Sequence, residues 1–218
     1  MGKKKANSNP EPKKSTIAHD AIALCVITLV AGFLLGLVYK VTEKPIEDAS
    51  LKAKQEAYQT VFPDAASFEA SDQSEALVKE KGASYEGAEI TQYLLAKDSS
   101  GNEIGYVVSF TAKEGYGGDI RLSMGIDKDG AITGFEVLSN SETACLGQNC
   151  VKPAFKDQFK GINADSIEWT KDGKSADNQI DALSGATITT KAVTKGVNAA
   201  LSFIKQDGMS AEGGSADE

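Results

Sequence analysis

Asp181-Ala182-Leu183-Ser184-Gly185-Ala186-Thr187 places a run of small residues, then a hydroxyl, directly ahead of an amphipathic stretch. Ser184, Gly185 and Ala186 suit a tight turn, and Thr187 stands where the following helix begins. The first N–H groups of a helix lack intrahelical partners, and the helix dipole is positive at that end. The place is therefore receptive to a phosphate or another anion. Taken alone, the same residues also suit an ordinary turn with a threonine cap.

Other chemistries are poorly supplied. The single histidine, His19, lies at the edge of an apolar run, so the rest of the chain has no imidazole for a general base, a triad or zinc. Ser184 sits in Leu-Ser-Gly-Ala, without the first glycine of a nucleophile elbow. No phosphate-binding P-loop or dinucleotide fingerprint is present. Acidic pairs such as Glu47-Asp48 read as a solvated face. Chemistry in this chain must then come from a bound cofactor.

Two further positions carry reactive groups. Cys145 and Cys150 flank Leu146-Gly147-Gln148-Asn149 and are read either as a small-loop disulfide or as two free thiols. They are not a haem-attachment pair, which needs Cys-x-x-Cys-His. Cys25, in the apolar run, reads as a small apolar residue.

The elements that position these residues follow from charge and periodicity. Residues 21–39 are 19 uncharged residues, enough for an α-helix to cross a hydrocarbon core. Five lysines precede them, which predicts a cytoplasmic N-terminus and an exported remainder. No small-x-small site follows, so a retained anchor is favoured over a signal peptide. Ala6 breaks the myristoylation pattern. Residues 1–41 carry net charge +4 and the remainder −12. An acidic exported domain is expected to bind neither nucleic acid nor anionic lipid.

The expected organisation is a disordered cytoplasmic tail at 1–16, a transmembrane helix at 17–41 and a juxtamembrane helix at 42–63. An extracytoplasmic domain at 64–206 and a disordered acidic tail at 207–218 follow. Pro45 suits the first turn of the second helix, whose stripe is Ile46, Ala49, Ala53, Ala57 and Val61. Alternation predicts strands at 90–97, 103–111, 121–127 and 132–138, with Asp127-Lys128-Asp129-Gly130 as a hairpin turn. A short helix is expected from Pro153 to near Gly161, and a strand near 167–169. A helix at 190–206 carries Val193, Val197, Ala200, Leu201 and Ile204. The fold class is α+β: one N-terminal membrane helix, then a mostly antiparallel sheet flanked by helices.

Three segments in order carry a resemblance. Asp181-x-x-Ser184-Gly185-Ala186-Thr187 resembles the acceptor motif at which an ApbE-type flavin transferase links FMN to threonine. Upstream, Glu142-Thr143-Ala144-Cys145-Leu146-Gly147 is similar to a Glu-Thr-Pro-Gly-Leu-Gly segment that lies against the flavin. Gly115-Tyr116-Gly117-Gly118 matches a Gly-Tyr-Gly-Gly turn. Over residues 17–206 the chain resembles the FMN-bearing G subunits of membrane-bound Rnf complexes. NqrC, from sodium-pumping quinone reductases, is the related second reading.

The resemblance implies covalent FMN on Thr187 through a phosphoester, with Ser184, Gly185 and Ala186 shaping the turn. It implies that Glu142, Thr143, Leu146, Gly147 and Tyr116 contact the cofactor, and that Asp181 serves recognition by the transferase. The implied partners are the transferase during maturation and the other subunits of a complex coupling ferredoxin:NAD electron transfer to ion translocation. Ala144-Cys145 departs from the family's Pro-Gly, a change that a Cys145–Cys150 bridge would offset. The rival reading from another class is a membrane-anchored scaffold or binding domain without a cofactor.

Overall fold

A computed structural model describes residues 17–209. The expected tail at 1–16, and residues 210–218 of the one expected at 207–218, lie outside the described residues. Near Ser50 the chain divides into an N-terminal unit and a compact unit beginning at Leu51.

The described residues of the N-terminal unit are helical. Helix α1 runs without interruption from Ile17 to Val61, so the two helices expected on either side of residue 41 are one. Pro45 lies inside it. Proline removes one N–H but its φ is helical, and the helix passes through it. The apolar stretch is long enough to cross a membrane, and none of it is buried by the rest of the chain. Leu29, Phe33 and Leu35 are each more than two-thirds exposed. A sleeve of exposed Leu, Val, Ile and Phe is costly in water and favourable in hydrocarbon. Within the compact unit, Ala57, Tyr58 and Val61 near the end of α1 are buried.

The compact unit is built on one antiparallel sheet in the order β1 (Ser67–Glu69), β2 (Ala88–Lys97), β3 (Glu103–Ala112), β4 (Ile120–Asp127), β5 (Ile132–Ser139). Helix α2 (Asp72–Lys81) joins β1 to β2 and opens with a capping box between Ser71 and Ser74. The β4–β5 turn falls where expected: the Asp127 carboxylate accepts from Asp129 N–H and Ala131 N–H, and Gly130 takes φ +87°. A second, parallel pair joins β6 (Glu168–Thr170) to β7 (Gln179–Asp181).

Strand alternation sends side chains to two cores. Tyr106, Val108, Phe110, Leu122, Met124 and Ile126 face the main one. Helix α4 (Thr187–Phe203) covers it with Val193, Val197, Ala200 and Leu201, all fully buried. Each large apolar side chain contributes about 1.5–3 kcal/mol by leaving water. Behind them, Phe155 of the short helix α3 (Pro153–Lys156) and Phe159 of the following 3₁₀ turn pack with Phe135. This short helix is about half the length expected. On the opposite face Tyr58 and Val61 from the end of α1, with Phe62 just after it, pack on Leu94, Ala96 and Val107.

That second face is held close by Gly134. A Cβ there would sit 2.6 Å from the Val61 Cα and 2.7 Å from its carbonyl oxygen. The Thr133 hydroxyl donates to the same carbonyl at 2.6 Å. Gly134→Ala is expected to push the helix end off the sheet at a cost of about 1–3 kcal/mol. A lowered unfolding midpoint in the detergent-solubilised full chain is the readout; an unchanged midpoint refutes the close approach.

The C-terminal helix begins at Thr187, three residues before the sequence-based start, and continues as a π turn over Ile204–Gly208. Asp207 and Gly208 therefore belong to the fold and not to a tail. The Tyr85 hydroxyl donates to the Asp207 carboxylate, and Gly208 is buried against the Tyr93 ring.

Candidate functional site

The turn ahead of α4 is made by Gly185. It takes φ +72°, and the Ala186 N–H donates to the Leu183 carbonyl at 3.1 Å. A left-handed φ favours glycine, and a Cβ here would also lie 3.1 Å from Leu146 Cδ2. Helix α4 then starts with Ala186 as its N-cap and no side chain capping it. Its first N–H groups remain available to an acceptor.

Of the four threonines in α4, three have committed hydroxyls. Thr189 donates to Glu142 Oε2 at 2.5 Å, Thr190 to the Ala186 carbonyl at 3.0 Å, and Thr194 to the Thr190 carbonyl at 2.9 Å. Among the described residues the Thr187 hydroxyl has no such partner, and Thr187 is half-buried at the cleft wall.

Two loops face the helix start. In the first, Glu142 is buried, 7 % exposed. Its Oε1 accepts the Gly117 N–H at 2.9 Å, while Oε2 holds Thr189. In the second, Tyr116 stands out from its glycines, 69 % exposed. The loops meet so closely that a Cβ on Gly117 would lie 2.1 Å from the Ser141 carbonyl oxygen. The 143–148 turn is closed by Leu146 and Gln148 N–H groups on the Thr143 carbonyl.

Together these segments bound a cleft of about 400 Å³, lined by Tyr116, Glu142, Thr143, Leu146, Gly147 and residues 185–189. That volume lies within the range of small-molecule sites. Outside α1, the exposed large apolar side chains among the described residues are Tyr116, Leu146, Val151 and Ile188. Three of those four line this cleft.

Residues 115–202 match the family described as FMN-binding domain. The G subunit of the ion-translocating oxidoreductase complex of Methanosarcina acetivorans is 35 % identical, over 86 % of this chain and 94 % of that protein. The G subunit of the Na(+)-translocating ferredoxin:NAD(+) oxidoreductase complex of Acetobacterium woodii is 37 % identical, over 83 % and 87 %. The chain belongs to this family of G subunits. The G subunit of the proton-translocating ferredoxin:NAD(+) oxidoreductase complex of Clostridium ljungdahlii is 32 % identical, over 83 % and 88 %. Among solved structures, Shewanella oneidensis NqrC is similar with TM-score 0.48 and 21 % identity, over 56 % of this chain and 61 % of that one.

In this G-type chain, Tyr116, Glu142, Thr143, Leu146, Gly147, Gly185, Ala186 and Thr187 come together on one cleft. Ser184 does not line it and stays exposed in the turn. Asp181 closes β7 outside the cleft, exposed, with its N–H on Gln158 Oε1 at 2.6 Å. Ile188 and Thr189 also line the cleft, and the sequence pattern did not pick them out. Ile188 carried a signal, being an apolar residue off the buried stripe of α4. Thr189 carried none, since its partner Glu142 is 47 residues away.

The candidate disulfide is not formed: Cys145 and Cys150 are free thiols. Cys145 is exposed, with φ +62°, at the position where the resembled segment has glycine. Cys150 is turned into the core by the 3₁₀ helix Gly147–Val151. Burial, with the Glu142 charge adding to it, pushes the Cys150 thiol up to about 11. At pH 8 only about one part in a thousand is thiolate, the reactive form. Iodoacetamide at that pH is expected to modify Cys145 in the native chain and spare Cys150 until denaturant is added. Equal labelling, read by peptide mass, would contradict this placement.

Proposed function

We propose that this chain is an electron-transfer subunit that carries FMN, joined to Thr187 by a phosphoester, in an ion-translocating membrane complex. The single observation that carries this reading is the uncommitted Thr187 hydroxyl at an uncapped helix start. It opens on a cleft whose walls bear exposed Tyr116, Leu146 and Ile188. The residues present fit the group. An anionic phosphate suits the first turn of α4, and a flat aromatic ring suits apolar side chains that otherwise face water.

FMN, when bound, supplies one- and two-electron transfer. The chain's own residues bind and orient it. The first turn of α4 offsets the phosphate charge, Leu146 and Ile188 cover ring surface, and Tyr116 stands at the rim. Fixing the cofactor covalently keeps it with a domain that lies outside the cell. Attachment requires a flavin transferase of the ApbE type, with Asp181, exposed just before the turn, as its recognition residue. Electrons pass to and from other subunits of the complex. The apolar α1 anchors the chain as a single pass, with the five lysines before it on the cytoplasmic side.

The test is ultraviolet-excited fluorescence of the denatured full chain in a gel, made with and without the transferase, together with its intact mass. A fluorescent band and a matching mass increase that require the transferase support the reading. Their absence, with the transferase active on another acceptor, leaves a cofactor-free scaffold instead.

A further inference from the structure

Glu142 is buried, carries no ion pair among the described residues, and ties three separate segments together. Its Oε1 takes the Gly117 N–H at 2.9 Å, its Oε2 takes the Thr189 hydroxyl at 2.5 Å, and its own N–H donates to Asn140 Oδ1 at 3.0 Å. The surrounding chain leaves no slack. A Cβ on Gly147 would lie 2.3 Å from Glu142 Oε2 and 2.5 Å from Thr189 Oγ1, and one on Gly115 would lie 2.8 Å from Glu142 Oε1. An acceptor held this way fixes the first turn of α4 against the 141–147 loop. Thr187 is two residues upstream of Thr189 in that same turn, and no hydrogen bond among the described residues holds its own side chain.

We infer that Glu142, acting through Thr189, is a positioning residue for flavin attachment: it sets the orientation of the Thr187 hydroxyl in the cleft before any cofactor is present. This rests on the reading of Thr187 as the acceptor. Attachment forms a Thr187 Oγ1–P bond and breaks the P–O–P bridge of a flavin nucleotide pyrophosphate. A nucleoside monophosphate leaves, the hydroxyl proton passes to a base of the transferase, and no electrons are gained or lost. A hydroxyl misplaced by about 1 Å costs on the order of 100-fold in such a displacement. A carboxylate at this position is not required, because an amide can accept from the Gly117 N–H and donate to the Thr189 oxygen.

The experiment measures the rate at which purified transferase, with FAD as donor, labels the full chain in detergent. Wild type, Thr189→Val, Glu142→Ala, Glu142→Gln and Thr187→Ala are compared over a range of chain concentrations. Thr189→Val and Glu142→Ala are expected to label about tenfold to 100-fold more slowly at saturation with KM unchanged. Glu142→Gln is expected to run close to wild type. Thr189→Val keeps the side-chain shape, so it decides the matter even where Glu142→Ala does not fold. A wild-type rate in Thr189→Val overturns the positioning role while leaving the acceptor reading intact. Failure of the wild type itself, or labelling of Thr187→Ala, overturns the acceptor reading and this inference with it.

Discussion

Thr187→Ala is expected to give a folded chain that never acquires covalent flavin. The side chain is half-buried and its hydroxyl has no partner among the described residues, so its removal breaks no internal hydrogen bond. The N-cap is Ala186, one residue earlier, so no cap is lost. Alanine is also the better helix former. Stability should therefore stay within about 0.5 kcal/mol of wild type, whereas the fluorescent band and the added mass disappear completely. Thr187→Ser retains the nucleophilic oxygen and should retain part of the labelling. A fluorescent Thr187→Ala band would move the attachment to another hydroxyl and remove the basis for the proposed site.

Phe159→Ala has the largest expected effect on stability. Phe159 is fully buried, its ring stacked on Phe135 at 4.6 Å between centroids and met edge-on by Phe155 at 5.5 Å. It lies in the 3₁₀ turn Asp157–Phe159 that follows α3, with the Phe135 ring of β5 and the Phe155 ring of α3 against it. Truncating a buried Phe costs about 3–5 kcal/mol through lost transfer and the cavity left behind. For a domain of this size that is a fall in Tm of about 6–20 °C. Thermal unfolding of the solubilised full chain followed by near-ultraviolet circular dichroism would show it. A loss of under about 1 kcal/mol would mean that this aromatic cluster is not part of the core.

Thr187 and Phe159 are opposite kinds of residue, and their surroundings were unequally legible in the sequence. The central strands were readable because Ile104, Tyr106, Val108 and Phe110, and then Leu122, Met124 and Ile126, alternate with period two. The 127–130 turn was readable from its Asp and Gly. The start of α4 was misplaced by three residues because threonine is a weak helix former, and Thr187–Thr190 gave no apolar periodicity to extend. The strand expected near 167–169 is β6 (Glu168–Thr170), whereas the three-residue β1 and β7 are too short for any period to show. Pro45 suits a helix start by its helical φ, and the same φ lets it sit inside the long α1.

The sequence by itself determined the types of group available. It supplied an apolar run long enough for a membrane, a small-residue turn ending in a threonine, three glycine-bearing segments in a set order, and no imidazole beyond the apolar run. These are local properties, set by backbone freedom, side-chain polarity and spacing along one stretch of chain. Only the tertiary structure decided which of the four α4 threonines keeps a hydroxyl without a partner among the described residues, because Thr189 is committed by a carboxylate 47 residues away. It also separated Cys145 from Cys150, five residues apart in sequence but on opposite sides of the solvent boundary. Hydrogen bonds and burial act through space, so the geometry that distinguishes one hydroxyl or thiol from the next appears only when distant segments are packed together.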